Sequence, residues 1–237
     1  MQYLVDIDPT LAAPVTKQNT ATVTADGIPA VSDNANIDIV EPPSEISTTK
    51  TISTPPSENA DGTWTFTYTI SVANTGGQDL TSLQVTDDLG PTFPAPVTYT
   101  VDSVSSPDFA QNPAFDGIAG SDTDLLLGTD PIAVGEFGTI LLTVTIDPNG
   151  NYGPYANEAI ASGDRTRGTG SVTDASQDLP PIDADGDGIP DVFEGDVDGD
   201  GSGGSDDDEP TLLPIPEIGL YKDITAGPTY DLSLIHI

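Results

Sequence analysis

The carboxylates of residues 183–194 have the spacing of a cation site. Asp183, Asp185, Asp187 and Asp191 stand at positions 1, 3, 5 and 9 of a twelve-residue run, with Gly188 at 6, Ile189 at 7 and Glu194 at 12. Alternate carboxylates in a tight loop turn toward one point, Gly188 permits the sharp bend, Ile189 offers its carbonyl, and Glu194 closes the site with two oxygens. These hard oxygen donors suit Ca2+. A second, poorer loop follows: Asp196, Asp198, Asp200 and Ser202 lie at alternate positions with Asp207 at the twelfth, but Gly204 occupies the ninth. The competing reading is an acidic linker without fixed structure, because a run rich in acids imitates such motifs. That reading does not require Gly at 6 and Glu at 12 together.

Other chemistry finds little footing. The chain has 237 residues, 39 acidic against five basic, and a formal net charge of -34. So little Lys and Arg leaves almost nothing to pair with nucleic-acid phosphates or anionic lipid. With no cysteine there is no disulfide, thiolate nucleophile or sulfur-ligated metal. The single histidine, His236, stands one residue from the end of the sequence, a poor place for a general base. Paired carboxylates such as Asp122 and Asp124 occur by composition alone, and Asp87-Asp88 is read as the end of a strand where a cation can settle. Catalysis is not expected. No apolar run reaches the roughly 18–20 residues of a membrane span, and the first residues carry no export signal. Such a signal, and an anchor, are expected outside this segment.

The elements that position the calcium loops come from a repeat. Val5-Asp-Ile-Asp-Pro9 is echoed by Val144-Thr-Ile-Asp-Pro148, 139 positions later, and each is followed by a Pro and an Asn, Asn19 and Asn157. Glu45-Ile46 with Lys50 and Ile52 is echoed by Glu217-Ile218 with Lys222 and Ile224, 172 positions later. The end of one unit and the start of the next therefore both recur, in the right order. Residues 1–32 read as the C-terminal part of one unit, 33–45 as a linker, 46–173 as a complete unit, 174–216 as the acidic calcium-binding connector, and 217–237 as the start of a further unit.

Within the full unit, Trp64, Phe66, Tyr68, Ile70 and Val72 alternate with Thr and Ser, and Ile140, Leu142, Val144 and Ile146 alternate with Leu and Thr. A period of two predicts strands with one buried and one wet face. About seven strands fit, which predicts an all-β fold of tandem immunoglobulin-like β-sandwich modules joined by acidic linkers. Trp64 is expected in the core. The irregular stretch 105–138 is expected either to cap the sandwich or to bind a ligand.

The run from Lys50 to Leu89, with its aromatic-and-threonine strand, its Asn74-Thr-Gly turn and its Val85-Thr-Asp-Asp-Leu89 segment, resembles the DUF11-type conserved repeat of bacterial surface proteins. Val144 to Pro148 and the Pro154…Asn157 segment resemble the end of that repeat. No helical pattern flanks the calcium loops, so the connector resembles the aspartate-rich calcium repeats of thrombospondin type 3 rather than an EF-hand pair. These resemblances imply a structural stalk or spacer of a large secreted or cell-surface adhesin-like protein. Its partners would be neighbouring repeats of the same chain and, through other domains, extracellular glycans or proteins. They supply no catalytic residues, and no LPxTG anchor motif is present. The alternative is a carbohydrate- or protein-binding module, for which Tyr152 and Tyr155 are the first candidates.

Overall fold

The computed structural model describes residues 14–178 and 210–216. Among these the chain is all-β, built of several antiparallel sheets with one short helix. The hairpin β1 (Val15–Ala25) and β2 (Ile28–Ile39) comes first, turning at Asp26-Gly27, where Gly27 takes a positive φ. A polar ladder crosses it, Thr16 to Asp38, Thr20 to Asn34 and Thr22 to Ser32. β2 runs to Ile39, into the stretch read as a linker.

The rest forms one body. A four-stranded sheet has the order β3 (Ser47–Glu58), β4 (Trp64–Ala73), β7 (Phe137–Asp147), β6 (Thr98–Ser105). A three-stranded sheet has the order β10 (Ser171–Ala175), β9 (Ala159–Arg165), β5 (Leu80–Asp87), and β8 (Tyr155–Asn157) pairs with β11 (Thr211–Leu213). The helix α1 (Leu89–Thr92) follows β5 directly, with Asp88 as its N-cap accepting from the Gly90 amide at 3.1 Å. One hydrophobic cluster draws on all these sheets.

The period-two reading of the strands is realised. Phe66, Tyr68, Ile70 and Val72 are buried from β4, and Ile140, Leu142, Val144 and Ile146 from β7. Trp64 is 7% exposed, a core residue. The intervening threonines pair across the other face, Thr65 with Thr145 at 2.7 Å and Thr67 with Thr143 at 3.0 Å. This is why the strands are rich in Thr: a β-branched methyl suits the pleat, and a hydroxyl finds its partner across the ladder.

The stretch 105–138 closes the body along β5. Leu125 donates its amide to Val85 carbonyl at 2.8 Å and Ile132 to Leu80 at 3.0 Å. Phe109, Phe115, Leu125, Leu126 and Ile132 are buried. Its acids are structural acceptors: Asp122 takes the Asn112 carboxamide and the Asp124 amide, and Asp130 takes the Ala110 amide.

The preceding segment is tied to the body. Gly77 donates to Pro43 carbonyl at 2.8 Å, and the Gln78 carboxamide donates to Pro42 carbonyl at 3.0 Å and Ser44 hydroxyl at 2.7 Å. A Cβ on Gly76 would lie 2.5 Å from the Glu45 nitrogen, so this turn needs glycine for space. Packing also continues past 173: Ser176 and Gln177 are buried, and Leu213 and Ile215 join the core. The chain thus enters beside the Ala73 end of β4, where Ser47 is in register with Ala73. It leaves beside the opposite end. Leu213 is in register with Tyr155, Tyr155 packs on Phe93, Phe93 packs on Tyr99, and Tyr99 is in register with Ile146, the partner of Trp64.

Candidate functional site: a buried lysine, aspartate and asparagine

Register delivers a lysine into the core. Lys50 is paired with Ile70, and directly paired residues of antiparallel strands project to the same face. Ile70 is fully buried, and so is Lys50. The flank of β3 is covered as well: the Lys50 amide donates to Gln177 carbonyl at 2.9 Å, and the Thr211 hydroxyl donates to Lys50 carbonyl at 2.6 Å.

Three groups converge there. Asp87 ends β5 on the inward alternation of Leu83 and Val85, and its side chain is 0% exposed. Lys50 Nζ donates to Asp87 Oδ2 and lies 4.4 Å from the centre of the Tyr68 ring. Asn157 ends β8 on the inward alternation of Tyr155 and is 1% exposed. Its Nδ2 reaches the same Asp87 Oδ2 at 3.4 Å, while its Oδ1 accepts from the Thr92 hydroxyl at 3.0 Å. The Tyr68 hydroxyl faces this carboxamide without a well-formed hydrogen bond, and Asp87 Oδ1 has no partner among the described residues. Phe66 stands edge-on to Tyr68 at 5.2 Å.

Burial sets the protonation of the pair. Loss of water pushes the Lys50 ammonium below its ordinary value of 10.5, against the pull of Asp87. The same loss raises the Asp87 carboxyl above 3.8, against Lys50 and Asn157. Both directions favour the neutral forms, an amine beside a carboxylic acid, because two charges in a low dielectric are costly even when paired. The Tyr68 phenol is pushed well above its ordinary range, chiefly by desolvation. The site therefore brings together the Lys50 nitrogen, a carboxyl group and a carboxamide whose orientation is pinned by a hydroxyl.

The carboxylates singled out in the sequence are placed differently. Asp183, Asp185, Asp187, Ile189, Asp191 and Glu194, and Asp196, Asp198, Asp200, Ser202 and Asp207, lie outside the described residues, as do Val5–Pro9 and 217–237. Among the described residues no three acidic or histidine side chains gather as a metal site. Asp87 and Asp88 part company: one turns inward to Lys50, the other caps α1. Of the tyrosines proposed for binding, Tyr155 is buried against Phe93 and Tyr152 is 39% exposed. Sequence reasoning marked Lys50 and Asn157 only as repeat landmarks. Their signal was there: Lys50 is one of five basic residues, and it recurs as Lys222 while Asn157 recurs as Asn19.

No protein-family model matches the chain, and no curated protein matches it. Among solved structures it is distantly similar to the full-length major pilin SpaD from Corynebacterium diphtheriae, at 18% identity and a TM-score of 0.36. That match covers 56% of this chain and 34% of the pilin chain. No helix among the described residues is long and apolar enough to cross a membrane.

Proposed function

We propose that this chain is a structural spacer segment of a larger bacterial cell-surface or secreted adhesin-like protein. In this reading an immunoglobulin-like β-sandwich unit of the DUF11 type carries a calcium-stiffened acidic segment between β10 and β11, and turnover catalysis is no part of its role. One observation carries the reading: the chain enters the body at the Ala73 end of β4 and leaves at the Trp64 end. Head-to-tail passage converts the number of units into reach. Both ends are held, the first by Gly77 and Gln78 on residues 42–44, the second by β11 on β8. The loops at 183–194 and 196–207 would add rigidity, since unneutralised carboxylates repel and bound cations draw them together.

Calorimetry on the full chain tests the calcium part. Saturable heat of binding that disappears in Asp187→Ala and Glu194→Ala is expected; no saturable uptake at millimolar calcium would refute it. The spacer part is tested by the complete reading frame, in which an upstream export signal and further unit copies are expected. A natural protein confined to the cytoplasm would overturn it.

A further inference from the structure

We propose that Lys50 and Asn157 become joined by an intramolecular amide bond, formed with release of ammonia and with Asp87 as the proton carrier. The proposal stands on three contacts. Asp87 Oδ2 touches both Lys50 Nζ and Asn157 Nδ2, the nitrogen that must lose protons and the nitrogen that must leave. The Thr92 hydroxyl donates to Asn157 Oδ1, which polarises the carbonyl and aims Nδ2 at Asp87. Lys50, Asp87 and Asn157 are all withdrawn from water, so hydrolysis does not compete.

The chemistry balances. The neutral Lys50 amine attacks Cγ of Asn157, and negative charge gathers on Oδ1 beside the Thr92 hydroxyl. Asp87 takes a proton from Nζ and gives one to Nδ2. The Cγ–Nδ2 bond breaks, ammonia leaves, and a secondary amide joins the two side chains. Asp87 ends as it began, and no oxidant, reductant or cofactor is needed. The pKa directions fit: burial favours the amine that attacks and the acid that donates. Amide aminolysis is slow in water, but fixed neighbours in one core gain effective concentrations of roughly 10⁵–10⁸ M. A bond between Lys50 and Asp87 is disfavoured, because its leaving group is a hydroxyl and, among the described residues, no second acid is hydrogen-bonded to Asp87 to protonate it.

The link would tie β3, the first strand of the body, to β8, which carries the last described strand β11. Tension between the two ends would then run through a covalent path and bypass most of the core. The proposal goes beyond the spacer reading and does not depend on it, since its readout is the chemical state of two side chains.

Intact-mass spectrometry of the purified, folded full chain decides it. The expected result is a mass below the sequence value by one ammonia, with digestion yielding a branched peptide that joins Lys50 to Asn157. Lys50→Ala and Asn157→Ala are expected at their full sequence masses. Asp87→Ala keeps both reactants and is expected to lose the reaction, which separates proton transfer from proximity. Folding of each variant is checked by circular dichroism; should a variant not fold, the wild-type mass and branched peptide still decide. The proposal is overturned by a folded wild-type chain at its full sequence mass. It is equally overturned by loss of water with Lys50 joined to Asp87, or by ammonia loss that maps elsewhere with Lys50 free.

Discussion

Replacing Gly76 with alanine tests whether the preceding segment is locked to the body by close approach. Gly76 does not need a positive φ, so the perturbation is purely one of space. Its new methyl would sit 2.5 Å from the Glu45 nitrogen and 3.0 Å from the Pro43 carbonyl oxygen, both backbone atoms. Glu45 has little freedom to yield, because Ile46 beside it is 1% exposed and anchored in the core. The segment 42–44 must therefore lift. Three hydrogen bonds go with it, Gly77 to Pro43 at 2.8 Å, and Gln78 to Pro42 at 3.0 Å and to Ser44 at 2.7 Å. At a net of about 0.5–1.5 kcal/mol each, a figure that already counts the exchange with water, three bonds in the lower half of that range weaken local docking by about 2–3 kcal/mol. That corresponds to a roughly 30- to 150-fold fall in amide protection. Hydrogen exchange at Gly77 is the assay, with β4 and β7 as internal reference. Protection unchanged at Gly77 would refute the reasoning, as would an equal loss across β4 and β7.

Three further outcomes are expected. Leu213→Ala removes a fully buried side chain and should destabilise the body by about 2–5 kcal/mol; an unchanged thermal midpoint would detach residues 210–216 from the fold. Thr92→Val keeps the volume but removes the donor on Asn157 Oδ1, so ammonia loss, followed by intact mass as newly synthesised chain folds, should slow roughly 100-fold or more; a wild-type rate would remove Thr92 from the mechanism. The Asp116 carboxyl is held below its ordinary value of 3.8 by the Ser121 hydroxyl and then by the Ile118 and Asp122 amides. A depressed folded value means its contribution is complete above 3.8 and lost as pH falls through the folded value. Protection at Ile118 and Asp122 should therefore drop only in acid, and a change near neutrality would contradict this.

The strand alternation at 64–72 and 140–146 is legible in the sequence because a half-buried strand writes its two faces into every second residue. Composition likewise fixes the absence of thiols. The stretch 105–138 was not legible, because its order comes from single backbone bonds to β5 and from carboxylates accepting amides such as Ala110, none of which leaves a period. Lys50 and Asn157 could be read as repeated letters and Asp87 as the end of a strand, and each falls on an inward phase. Nothing local says that they meet. Lys50 comes from the four-stranded sheet, Asp87 from the end of β5 and Asn157 from β8, and only the packing of those sheets over one core brings two nitrogens to one carboxyl oxygen. The sequence determines which faces turn inward, since that depends on neighbours along a strand. Which inward groups touch depends on register and sheet packing between distant segments, and there the tertiary structure alone decides.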